Sequence, residues 1–148
     1  MTDALNHDTH YQYNVLGHQV VMTDGNEAIT EYEYDRLNRL ITTTYASDNE
    51  SVAYSYDAAG RRLAMQDSLG TTRYLYDDFS RLVSVTNPFT DTVLYAYDLV
   101  GNRTGLTYPD GKVVTTTYDA DNRMIQVEDW DNGTTSYAYD GEIGRAHV

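Results

Sequence analysis

The sequence predicts an all-β fold, with tandem β-hairpin repeats of about 21 residues forming a curved antiparallel sheet. Three observations carry that prediction. Tyrosine-centred segments recur at an almost constant spacing. A tight-turn signature directly follows each of them. The stretches between turns, such as TTRYLY, VLYAY and KVVTTTY, are about six residues long and have strand composition. No segment shows helical apolar spacing over a useful length.

Aligned on the second tyrosine of each pair, the segments read YQYNVLGH, YEYDRLNR, YSYDAAGR, YLYDDFSR, YAYDLVGN, TTYDADNR and YAYDG. Their anchors are Tyr13, Tyr34, Tyr56, Tyr76, Tyr97, Tyr118 and Tyr139, separated by 21, 22, 20, 21, 21 and 21 residues. A period of this size marks an array in which each repeat is one supersecondary unit.

Residues 1–10 read as a lead-in and residues 11–141 as seven repeats, the last truncated. The first repeat runs from Tyr11 and Tyr13 through the turn ending at Gly17 to a second turn signal at Asp24. The second places Tyr32, Tyr34, Asp35 and Asn38 before a threonine run and the loop former SDNE. The third has Tyr54, Tyr56, Asp57 and Gly60, then DSLG. The fourth has Tyr74, Tyr76, Asp77 and Ser80, then NPFTD. The fifth has Tyr95, Tyr97, Asp98 and Gly101, then YPDGK. The sixth lacks the first tyrosine but keeps Tyr118, Asp119 and Asn122, then DNG. The seventh shows Tyr137, Tyr139 and Asp140 and breaks off at Gly141. Residues 142–148, EIGRAHV, read as a non-native tail and are excluded from fold reasoning.

Gly and Asn tolerate positive φ, and a leading Asp accepts turn amides. Each motif turn is therefore expected to be a type I turn closed by a left-handed residue, with Ser80 the least comfortable occupant. Tyrosines at i and i+2 share one strand face. Tyr54 with Tyr56, Tyr74 with Tyr76 and Tyr95 with Tyr97 are expected to form an aromatic ladder across hairpins, with hydroxyls left in water. Arg39, Arg61, Arg81 and Arg123 each follow an aspartate by four residues, so the side chains can meet across the turn. Asn102 breaks that pattern, and Arg103 follows it. Leu40, Leu63, Leu82 and Met124 should pack under the ladder, and the threonine runs, including Thr42–Thr44, should be exposed.

The chain of 148 residues carries a net charge of −13, with ten Lys and Arg against 23 acids, which argues against a nucleic-acid partner. It has no cysteine, hence no disulfide or thiolate metal site. No apolar run is long enough to span a membrane. His7, His10 and His18 lack the ligand set of a metal centre. The Asp/Asn groups at Asp119 and Asp129 lack EF-hand spacing. No nucleophile motif or phosphate loop occurs, and the carboxylates lie at turn tips. No catalytic, cofactor-binding or metal residue is assigned.

The paired tyrosines, the YDxxGR motif and the period of about 21 resemble the YD repeat of the rearrangement-hotspot (RHS) family. The stretch YSYDAAGRRL, Tyr54 to Leu63, lies close to that family's consensus. The resemblance covers about residues 11 to 140. It implies a fragment of a long array that spirals into a hollow β-shell around a toxic C-terminal domain, as in polymorphic toxins. The family's self-cleaving aspartates have no counterpart here.

The resulting expectation is a structural, non-enzymatic wall segment of such a shell. Its partners are the C-terminal toxin cargo of the parent chain and neighbouring repeats, and the parent is secreted or associated with the cell envelope. The alternative is a module that binds cell-surface glycan through exposed tyrosines; a propeller with two repeats per blade is a third option. About fourteen strands are expected, with open sheet edges that invite pairing between chains.

Overall fold

The computed structural model describes residues 8–139 and 146–147. Strands alternate with turns throughout, and no helix occurs among the described residues. Hairpin one pairs β1 (His10–Tyr13) with β2 (Gln19–Thr23), hairpin two β3 (Ile29–Tyr34) with β4 (Leu40–Tyr45), and hairpin three β5 (Glu50–Tyr56) with β6 (Arg62–Asp67). Next come β7 (Gly70–Tyr76) and β8 (Leu82–Thr86). Hairpin five pairs β9 (Thr92–Tyr97) with β10 (Arg103–Thr107), and hairpin six β11 (Val113–Tyr118) with β12 (Met124–Glu128). A short β13 (Thr134–Ser136) follows.

Strand order follows chain order from β1 to β13, with no crossover. The pattern is the antiparallel meander expected of tandem hairpins. The main sheet holds 13 strands, not fourteen. Tyr139 lies instead in β14 (Ala138–Tyr139), which pairs with β15 (Ala146–His147). Asp140 and Gly141 lie outside the described residues, as do His7 and most of the tail. The chain divides into two compact units, residues 1–73 and 74–148, with the division inside β7.

The motif turns take the expected geometry. Each leading residue accepts from the amide three residues on and donates to the carbonyl four residues on, as in Asn38 N to Asp35 O at 3.0 Å and Asp35 N to Arg39 O at 2.9 Å. The left-handed position has φ of 82° at Gly17, 63° at Asn38, 84° at Gly60, 64° at Ser80, 100° at Gly101 and 60° at Asn122. Ser80 thus adopts the conformation despite its Cβ.

Most turns at the opposite end of the hairpins use the same two-bond geometry. Their left-handed residues are Glu27, Thr90, Gly111 and Asn132. Thr90 is the costliest, because a β-branched residue there clashes with its own carbonyl. Thr90→Asn is expected to stabilise residues 74–148 by about 1 kcal/mol, read from the denaturant midpoint at unchanged slope. An unchanged or lower midpoint would show that the turn is already relaxed.

A β-bulge recurs at the second tyrosine. Glu33 faces Thr42, but Tyr34 faces Leu40, leaving Ile41 extra. Val20, Leu63, Thr104 and Ile125 are the equivalent extra residues opposite Tyr13, Tyr56, Tyr97 and Tyr118. A bulge bends its strand and increases local twist, so curvature is built into each of these hairpins.

No hydrophobic side chain among the described residues is fully buried. The most buried residues are Thr43, Ser84 and Thr30. Thr43 is therefore not an exposed strand position. It is buried and lies directly opposite Tyr32 on the tyrosine face. A one-layer sheet has no interior, so its apolar burial is spread thinly over half-covered tyrosines and aliphatics.

Candidate functional site

The motif residues converge on a clasp, repeated at the turn end of the hairpins. Asp35 Oδ1 accepts from the amides of Leu37 at 2.8 Å and Arg39 at 3.0 Å. Its Oδ2 accepts from Arg39 Nε at 2.8 Å. Asp57 with Arg61, Asp77 with Arg81 and Asp119 with Arg123 repeat the arrangement, with Nε to Oδ2 at 2.6, 2.7 and 2.8 Å. One carboxylate thus shapes the turn through one oxygen and aims the arginine through the other.

The aimed guanidinium reaches the next hairpin. Arg39 lies 4.8 Å over the Tyr56 ring and donates to Asp57 O at 3.0 Å. Arg81 lies 4.8 Å over Tyr97 and donates to Asp98 O at 2.7 Å. Arg123 lies 4.9 Å over Tyr139. Guanidinium groups therefore cover Tyr56 and Tyr97, where a ring-on-ring ladder was expected, and Tyr139. A guanidinium stacks well on an aromatic face and keeps its edge free for hydrogen bonds.

The hydroxyls of five second tyrosines are not left to water. Tyr56 donates to Leu40 O at 2.7 Å, Tyr97 to Leu82 O at 2.9 Å, Tyr118 to Arg103 O at 3.0 Å and Tyr139 to Met124 O at 2.6 Å. Tyr34 donates to Gln19 O at 2.9 Å. Each acceptor directly follows the arginine position of the preceding hairpin. Leu40, Leu82 and Met124 are half-buried there, and each contributes its carbonyl to the seam, whereas Leu63, the extra residue of its bulge, is exposed and does not pack as expected. The first tyrosines look across their own hairpins instead. Tyr54 faces Met65 and Tyr95 faces Leu106, as Tyr32 faces Thr43. Burial raises the Tyr32 hydroxyl above its ordinary range, and the nearby Tyr45 adds to the effect.

Two seams vary the chemistry. In the first repeat Asn14 replaces the aspartate and His18 the arginine. Asn14 Oδ1 still accepts from Leu16 N and His18 N at 3.0 Å, and the His18 ring lies 4.8 Å from Tyr34. The alignment exposes that substitution, since His18 stands in the arginine column. Asn102 donates to Asp98 Oδ2 and to Asn122 Oδ1, both at 2.9 Å, so it bridges two turns without a cation.

These contacts hold the carboxylates ionised. The Arg39 backbone N–H and then its guanidinium lower the Asp35 carboxyl below its usual range. The same causes, in the same order, lower Asp57 through Arg61 and Asp119 through Arg123. At Asp77 and Asp98 burial is the largest single influence and pushes upward, but the hydrogen bonds together prevail. Among the described residues no cluster of three or more His, Asp or Glu is placed to hold a metal. Among them, too, no helix is long and apolar enough to cross a membrane.

The teneurin YD-shell family model matches residues 43–147. The chain belongs to the YD-shell family. These YD-shell repeats are 32% identical over 132 residues to "Probable deoxyribonuclease RhsB" of Dickeya dadantii, covering 88% of this chain and 9% of that protein. They are 32% identical over 138 residues to the tRNA nuclease WapA of Bacillus subtilis, covering 86% of the chain and 6% of WapA. The chain thus spans less than a tenth of the length of these relatives. The crystal structure of TcdB2-TccC3-Cdc42 shares the fold over 89% of this chain and 8% of that one, with a TM-score of 0.74 at 20% identity. The YD-shell clasp accounts for the motif: aspartate shapes the turn, arginine crosses the seam, and tyrosine receives it.

Proposed function

We propose that these repeats form a wall segment of a shell that encloses the C-terminal toxin domain of a longer, secreted bacterial protein. The segment is structural and carries no reaction centre of its own. One observation carries this reading: the motif side chains are spent on one another across successive hairpins. Arg39 is used by Asp35, Tyr56 and Asp57 O together. Residues so engaged make a continuous barrier and leave little free to act on a substrate. A glycan-binding role for the tyrosines needs open ring faces, whereas guanidinium groups cover Tyr56, Tyr97 and Tyr139 on one side. The names of RhsB and WapA as nucleases fit a division of labour, in which an activity outside the repeats is what the wall encloses.

The test uses the parent protein with its complete array and C-terminal region. Limited proteolysis should spare that region while the wall is intact. Alanine substitutions at Tyr56 and Tyr97 should open it to cleavage at a denaturant concentration that leaves the unmodified wall closed. Equal cleavage in both proteins would refute enclosure.

A further inference from the structure

Because strand order follows chain order, motif turns emerge along one rim of each unit and the alternate turns along the other. In the first unit the two rims differ in charge. In residues 8–73 the motif rim carries Arg36, Arg39, Arg61 and Arg62 against Asp35 and Asp57. The opposite rim of that unit carries Asp24, Glu27, Asp48, Glu50 and Asp67, with no Lys or Arg. The positive rim also exposes apolar tips: Val15 is 102% exposed, and Leu16 and Leu37 are each 67% exposed. Such values at adjacent turns leave large aliphatic groups in water without local purpose.

In residues 74–139 the alternate turns present a complementary surface. Phe89, Tyr108 and Trp130 are exposed at successive tips. Tyr108 braces Trp130 edge-on at 5.7 Å, and Lys112 lies 5.2 Å over the Trp130 ring. Asp91, Asp110, Asp129 and Asp131 flank these rings, and Lys112 is the only Lys or Arg in the three turns. Lys112 pairs with Asp110 at 2.9 Å.

We propose that these rims dock onto each other between two copies of the chain. The positive, aliphatic motif rim of residues 14–62 in one copy receives the acidic, aromatic rim of residues 87–133 in the second. Opposite charge favours this pairing, and repulsion opposes the meeting of two acidic rims. The repeat matches the register: tips on both rims recur every two strands, about 10 Å, so one set can interdigitate with the other. The contact is heterologous, since it joins two different surfaces. It competes with edge pairing only weakly, since the edge strands β1 and β13 have four and three residues. The inference stands independently of anything the array encloses.

Trp130 is the only tryptophan, so its emission reports on the acidic rim alone. Sedimentation of the whole chain should show reversible association with rising concentration, accompanied by a blue shift of Trp130. About 1 M salt, where the screening length is about 3 Å, should weaken it. The variant Leu16→Asp with Leu37→Asp, on the other rim, should raise the apparent dissociation constant about tenfold or more and abolish the shift. Arg36→Glu should act in the same direction, and as an exposed turn-tip change it provides a second route if the double variant misfolds. Gln12→Lys with Thr135→Lys, on the edge strands, should leave association intact. Association unchanged in the rim variants, association lost only in the edge variants, or a monomer at every concentration would each overturn the proposal.

Discussion

Tyr56→Ala is expected to destabilise residues 8–73 by about 3 kcal/mol, against about 1 kcal/mol for Tyr56→Phe. Alanine removes a half-buried ring, the platform under Arg39, and the hydroxyl bond to Leu40 O at once. Phenylalanine keeps the ring and the guanidinium stack and loses only the hydroxyl donor. The value for alanine lies at the low end for aromatic truncation because the ring is only partly covered. Arg39→Ala combined with Tyr56→Ala should show a coupling of about 0.5–1 kcal/mol, the size of a partly exposed cation–π contact. Strict additivity in that cycle would mean that the stack is geometric coincidence. The damage should stay near the seam, since each hairpin of an array touches only its neighbours. Hydrogen exchange should therefore accelerate first in β3 to β6, and uniform acceleration along the chain would contradict nearest-neighbour coupling.

Acid is expected to unfasten the clasps together. A carboxyl lowered by folding contributes stability that is complete above its unfolded pKa and is lost as the pH falls through the folded value. Asp35, Asp57, Asp77, Asp98, Asp110 and Asp119 are all lowered. Their effects therefore share one sign, and stability should fall progressively below about pH 4. Because the turns are exposed, each clasp adds little, and only their repetition makes the effect large. The control is built into the molecule: Asn14 holds its turn through Oδ1 without a charge. Asp35→Asn with Asp57→Asn should keep the turns and flatten the pH dependence of the urea midpoint. A slope equal to that of the unmodified chain would place the acid-sensitive groups elsewhere.

The hairpins are legible in the sequence because their signals are short-ranged. An aspartate, a left-handed Gly or Asn three residues later and an arginine one further on describe a turn whose bonds span four residues. Ser80 shows the limit, since its side chain gives no warning of a φ of 64°. The seam is less legible. Nothing local to Tyr56 identifies Leu40 O as its acceptor, sixteen residues upstream. The bulge has no local signature either, because Val20, Ile41, Leu63, Thr104 and Ile125 look like ordinary strand residues. Yet the bulge sets the pairing partner of each second tyrosine. Thr43 departs from its expected exposure for a related reason, since its burial depends on the strands it pairs with, where Tyr32 lies directly opposite.

The amino-acid order alone determined the repeat, the turns, the aspartate–arginine pairs and the shared face of the tyrosines. Each follows from chain stereochemistry or from hydrogen bonds closed within a few residues. Tertiary structure decided that arginine stacks on the next hairpin's tyrosine, that the hydroxyls reach backbone carbonyls, and that a sheet with no buried hydrophobic side chain among the described residues is held by its seams. Those contacts depend on the lateral register of strands fifteen or more residues apart, and register is set only when neighbouring hairpins meet.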